Sequence, residues 1–141
     1  MVSWDIKRVT APQDTPVSVQ EAKDQMRVET PDEDAMIERL IKAATEYVEG
    51  PYGIGIVLAE QTWDLKLDRF PHDAISLPIY PVQSVDSITY TDTAGAEQTV
   101  SPAVYRVDTH SNPARITLEW GQSWPTARLV ANSVTVTFTA G

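Results

Sequence analysis

Apolar and polar residues alternate along much of this chain, most plainly at Trp63, Leu65 and Leu67 against Asp64, Lys66 and Asp68. A repeat of two is the period of a strand with one face buried. Ile56 to Phe70 is long enough for one bent strand or two short ones, approached through Gly53 and Gly55. A crossing punctuated by Pro71, Pro78 and Pro81 follows, and then Val85 and Ile88 stand against Asp86, Ser87 and Thr89. Asp92-Thr93-Ala94-Gly95 predicts a hairpin turn between Ile88-Thr89-Tyr90 and Gln98-Thr99-Val100. Tyr105 and Val107 open a further strand, ended by His110-Ser111-Asn112-Pro113. Ile116, Leu118 and Trp120 alternate with Thr117 and Glu119, which predicts a strand that buries tryptophan. The clearest alternation is the last, Val134, Val136 and Phe138 against Thr135, Thr137 and Thr139.

Upstream the spacing is helical. Ser18 with Glu21 three residues on reads as a capping box, opening a short helix with Val19, Ala22 and Met26 on one side. Thr30, Pro31 and Glu33 repeat the signal, with Thr30 as N-cap, Pro31 in the first turn and Glu33 reaching back. Asp32, Glu33 and Asp34 suit the positive end of a helix dipole. The second helix carries Met36, Leu40, Ala43, Ala44 and Tyr47 along one stripe, widened by Ile37, Ile41 and Val48. Few charges interrupt this face (Glu38, Arg39, Lys42, Glu46 and Glu49), so it predicts burial on more than one side. Gly50-Pro51 stops it. The expected fold is α+β in one domain, 1–141. An extended arm covers about 1–16, an N-terminal helical hairpin about 17–50, and an antiparallel β-rich part about 54–140.

Size and charge narrow the function. At 141 residues the chain has room for one core, and a hydrophobic fraction of 42% is that of an ordinary globular domain. A net charge of −9, from 20 acidic and 11 basic residues, argues against a domain that grips phosphate backbones. Such a surface still suits one that nucleic acid slides past. The absence of cysteine removes disulfides, thiolate ligands and thiol nucleophiles. The start, MVSWDIKRVTAPQ, has no apolar core behind its charges, and no apolar run approaches membrane-spanning length. Synthesis in the cytoplasm is the expectation.

Residues that suggest chemistry have plainer readings. Asp68, His72 and Asp73 are close enough in sequence for a metal or an acid–base pair, but Pro71 between them makes a solvated turn. His110 lies in a Ser-Asn-Pro turn. Asp32, Glu33 and Asp34 lack the glycine and the distant glutamate of a calcium loop, so helix capping accounts for them. Gly50, Gly53 and Gly55 lack the spacing and the lysine of a phosphate-binding loop. Trp63, Trp120 and Trp124 have the rings to stack on a sugar or base, yet two alternate with polar residues and read as core. Trp4 lies outside any periodic segment and reads as a ring free for a partner. Arg106, Arg115 and Arg128 are too dispersed for a patch. Paired carboxylates in a cleft and a framed nucleophile are both missing from the pattern, which leaves a hydrolase without its parts.

The order of these features resembles that of the head-to-tail connector (adaptor) proteins of tailed bacteriophages and prophages. The N-terminal part is Val17-Ser18-Val19-Gln20-Glu21-Ala22-Lys23, then Met26-Arg27-Val28, then Asp32-Glu33-Asp34 leading to Ile37, Leu40, Ile41, Ala43, Ala44 and Tyr47. The middle is Gln61-Thr62-Trp63, Leu65, Leu67-Asp68, Phe70-Pro71, Ile75, Leu77-Pro78, Pro81-Val82, Ser84-Val85, Ile88, Tyr90 and Asp92. Tyr105, Val107, Pro113, Arg115, Trp124-Pro125 and Val134 to Gly141 complete it. Members of that family usually continue past the last strand into helices, where this chain ends at Gly141. The resemblance implies a structural virion protein with no enzymatic activity and no cofactor or metal. It implies a homo-oligomeric ring, twelve-fold in the virion, set beneath the portal protein. The ring extends the channel through which packaged DNA passes without sequence-specific binding, and it docks a stopper or tail-completion protein. No membrane partner is implied. The candidate interface residues are Trp4, Met36, Leu40, Ile41, Tyr47 and Trp124. The competing class is a β-rich carbohydrate- or peptide-binding module, against which a broad apolar helical hairpin counts, since sandwich modules have no use for one.

Overall fold

The computed structural model describes residues 4–49 and 53–141, the side chain of Trp4 excepted. A strand, β1 (Trp4–Thr10), precedes two helices, α1 (Val19–Met26) and α2 (Asp34–Val48). Then come β2 (Gln61–Leu67), β3 (Ile75–Leu77), β4 (Val82–Thr91), β5 (Glu97–Thr99), β6 (Tyr105–Asp108), β7 (Ala114–Leu118) and β8 (Val134–Ala140). The class is α+β, as expected. The helical hairpin is not at the N-terminus, however. The segment read as an extended arm contributes β1, which pairs antiparallel with β2, Ile6 opposite Leu65.

Two antiparallel sheets result, one ordered β1-β2-β8-β4-β5 and the other β3-β7-β6. Their inner faces share one core. Period-2 alternation is the cause: β2 and β8 each bury every second residue, and register sets Trp63 opposite Phe138, Leu65 opposite Val136 and Leu67 opposite Val134. Ile75, Leu77, Ala114, Ile116 and Tyr105 meet them from the smaller sheet. The outer face of the larger sheet is polar and cross-linked by side chains. Lys66 Nζ donates to Thr135 Oγ1 at 2.9 Å, and Thr137 Oγ1 donates to Asp64 Oδ1 at 2.6 Å.

The spacing of three between Val85 and Ile88 breaks the period of two. β4 accommodates it with register shifts between Val82 and Ser84 and between Val85 and Ser87, each an extra residue bulged out of the ladder. The turn at Asp92–Gly95 forms as read: Gly95 takes φ +88, and its N–H donates to the Asp92 carbonyl at 3.0 Å. The Asp92 carboxylate accepts from the Ala94 and Ala96 amides, 2.9 Å each, and from Gln98 Nε2 at 3.0 Å. These bonds to its ionised form hold its pKa below the ordinary carboxylate range, that from Ala96 contributing most.

Ser18 and Glu21 form the reciprocal capping box, with Ser18 Oγ accepting from the Glu21 amide at 3.0 Å and Glu21 Oε2 from the Ser18 amide at 2.9 Å. The second signal works otherwise. Pro31–Glu33 is a turn of 3₁₀-helix, Thr30 makes no side-chain cap, and α2 begins at Asp34. The stop read at Gly50-Pro51 lies outside the described residues. At Gly53, a Cβ would run into the Val48 carbonyl oxygen, so the chain can fold back under the end of α2 only with glycine there.

Candidate functional site

The end of α2 is tied to the start of β2, and the two helices to each other, by polar bonds. Glu49, buried just past α2, accepts from the Leu58 amide at 2.7 Å and from Gln61 Nε2, in the first residue of β2, at 3.2 Å. Lys23, the buried residue of α1, reaches Asp34 at the start of α2 at 2.8 Å. Together these fix the position of the hairpin without a large core beneath it.

Around α2, one residue turns the direction by roughly 100°. Ile37, Ile41, Thr45 and Val48 face the rest of the chain, and of these only Ile37 is fully buried. Met36, Leu40 and Tyr47 follow on round the same cylinder with Ala43 and Ala44 among them, and all five are exposed, Tyr47 to 87%. Glu38, Lys42 and Glu46 occupy the remaining arc, Lys42 paired with Glu38 at 3.2 Å. The apolar arc thus covers about half the helix, and its own chain covers only part of it. Burial on more than one side, expected from the width of the stripe, would need a second body. Of the candidate interface residues, Met36, Leu40 and Tyr47 lie on this bare part, and Ile41 lies on the inward side, half-buried.

Trp124 is brought elsewhere. Its ring stacks on Phe70 at 5.0 Å between centroids and 7° between planes, with Tyr105 at 6.3 Å, at the margin of the core. Burial raises the Tyr105 phenol pKa. Trp4 opens β1 opposite Leu67, and its side chain lies outside the described residues. Trp63 is buried as read, but Trp120 is not: β7 ends at Leu118, and Trp120 stands 97% exposed in the following turn. The alternation ran two residues too far, because the Glu119 amide donates to the Val104 carbonyl and the Gln122 amide closes a turn onto the Glu119 carbonyl. Leu129 (79% exposed) and Val130 share the same connection to β8.

The residues weighed for chemistry are separated or occupied. Asp68 accepts from the Asn132 amide at 2.9 Å and so pins that connection, while His72, Asp73 and His110 are exposed. Arg106 pairs with Glu119 at 2.8 Å and Arg115 with Asp108 at 2.9 Å. The Arg115 hydrogen bond holds the Asp108 carboxyl below its ordinary range, and the one to Glu119 raises Arg106. A shallow cavity of about 280 Å³ is lined by Leu65, Leu67, Pro71, Ile75, Ser76 and Pro78 and is mostly apolar. Among the described residues, no helix is long and apolar enough to cross a membrane.

No curated protein matches the chain. The head completion protein family does, over residues 16–140. Among solved structures, the chain is similar to a component of the neck of an empty gene transfer agent (GTA) particle computed with C6 symmetry. Identity there is 30%, the match covers 97% of this chain and 71% of that one, and the TM-score is 0.79. A component of the neck of a native particle computed with C12 symmetry matches at 26% identity, 97% and 69% coverage, and a TM-score of 0.71. A component of the virion of a native particle matches at 28% identity, 96% and 71% coverage, and a TM-score of 0.70. A family match over nearly the whole chain, and a fold shared with neck components across two sheets and two helices, agree with the connector pattern in the sequence: the chain belongs to the head completion protein family, structural proteins of the phage-type head–tail connection.

Proposed function

We propose that this protein is one subunit of a ring at the head–tail junction of a phage-type particle. The ring lies beneath the portal, lengthens the channel that packaged DNA traverses, and seats a stopper or tail-completion protein. The subunit acts as a building block and turns nothing over. What carries this reading is the uncovered part of the apolar arc of α2, Met36, Leu40 and Tyr47, on a chain of this family. An apolar stripe of that width on a fixed helix suits a neighbouring subunit better than water. The C6 and C12 symmetries of the neck structures support a cyclic arrangement.

Charge is consistent with a channel wall. Residues 14–49 hold ten acidic and four basic side chains, a net −6 of the −9 carried by the chain. Like charge keeps a phosphate backbone from sticking as it passes.

Light scattering on the purified chain, alone and mixed with portal rings, tests the proposal. A species of ring mass in either setting is expected. A monomer in both, at every concentration and salt level, overturns it. Leu40→Asp should leave melting of the subunit nearly unchanged, since Leu40 is 59% exposed, and should abolish the ring.

A further inference from the structure

A cyclic ring joins subunits head to tail, so each contributes two different patches that fit one another. In the ring proposed above, on which this inference rests, a different surface of the neighbouring copy meets the bare face of α2. The connection from β7 to β8 supplies a counterpart. It runs from Glu119 to Ser133 with neither helix nor strand, a length at which loops usually carry function. It is nevertheless held in shape. Trp124 stacks on Phe70, the Arg128 amide donates to the Thr91 carbonyl at 2.8 Å, and the Asn132 amide bonds Asp68. The turn fixes the backbone under Trp120, so docking orders only the two side-chain torsions of its exposed ring, and tryptophan is among the residues enriched at interface hot spots.

Position agrees. α2 is tied to Gln61, where β2 begins, whereas the loop is tied to Asp68, just past its end. These two anchor points lie about 20 Å apart along the strand, so the two patches are fixed to different parts of the subunit, as a contact between unlike surfaces allows. Shape agrees too. Ala43 and Ala44 are the small exposed residues between Leu40 and Tyr47, and Arg39 beside them has no ion pair among the described residues, which leaves it free to lie on an indole face.

We propose that Trp120 of one copy docks on α2 of the next, over Ala43 and Ala44 and between Leu40 and Tyr47. The chain has no cysteine, so introduced thiols report without background. The variant carrying both Ala43→Cys and Gln122→Cys, oxidised in whichever setting gives ring mass, is expected to yield a ladder of linked subunits. Each single variant alone should yield none, and a mixture of the two should yield dimers. Trp120→Ala should keep its melting behaviour and need at least about tenfold more protein to assemble. Dimers from Ala43→Cys alone would mean that α2 pairs with itself and would overturn the proposal. Rings that assemble without any ladder, or as readily with Trp120→Ala, would overturn it while leaving the ring intact. No ring in either setting would remove the ring and this contact together.

Discussion

The two-sheet body and the helical hairpin are built by opposite rules. In the body, Phe138, Ile88, Ile116 and Val136 are wholly out of water, and each strand finds its partner within the chain. In the hairpin, Ile37 is the one buried apolar side chain, and polar bonds through Glu49, Lys23 and the Ser18 cap do the fastening. Removing area from water is what stabilises a fold, so the body is self-sufficient. The hairpin leaves Met36, Leu40 and Tyr47 uncovered by its own chain. In the ring proposed above, that division would let the subunit be stable before assembly and adhesive during it.

The largest effect that sharpens this contrast is Phe138→Ala. It should cost about 3–5 kcal/mol, read as a fall in the urea midpoint for the whole domain. Leu40→Ala on the bare face should change subunit stability by no more than about 0.5 kcal/mol. Equal losses at the two positions would erase the distinction between body and hairpin. Glu49→Ala comes next. It strands the Leu58 amide and should cost about 1–3 kcal/mol, with hydrogen exchange accelerating in α2 before the strands. Uniform acceleration would mean that the hairpin and body open as one unit. Ser18→Ala should cost about 1 kcal/mol, confined to exchange of the α1 amides.

The smallest effect is one of pH. Asp92 titrates below an ordinary aspartate because the hairpin turn bonds its ionised form, Ala96 first. A lowered folded value means that its contribution is complete above the ordinary aspartate value of about 3.9 and disappears as pH falls through the lower folded value. Exchange at the Ala96 amide should quicken in that acidic window, ahead of amides in β2 and β8. Unchanged protection there would show that the turn is held by its backbone alone.

Much of the body was legible in the residues because burial with a period of two leaves its mark on every second position. β2, β8, the Asp92 turn and the break between β6 and β7 all fall where alternation and turn chemistry place them. The failures share a cause. Trp120 kept the alternation but not the strand, since a turn onto Glu119 and the Val104 carbonyl ended the ladder first. β1 was missed because an edge strand with charged residues at Asp5, Lys7 and Arg8 carries little periodic signal. Thr30 had the right neighbours for a cap, but the 3₁₀ turn at Pro31 used another geometry. On α2 the apolar width was readable and its division was not, because helical spacing says which residues share a face and not what covers them.

The residues alone determined the α+β class, the strand faces, the first helix cap, the acidic balance and the likeness to phage connectors. Each of these depends on neighbours in sequence or on composition. Only the tertiary structure decided that the hairpin follows an edge strand, that Met36, Leu40 and Tyr47 stay bare, and that Trp120 stands in solvent past the end of β7. Those facts depend on which distant segments come together, and a local repeat of 2 or 3.6 residues carries no record of that.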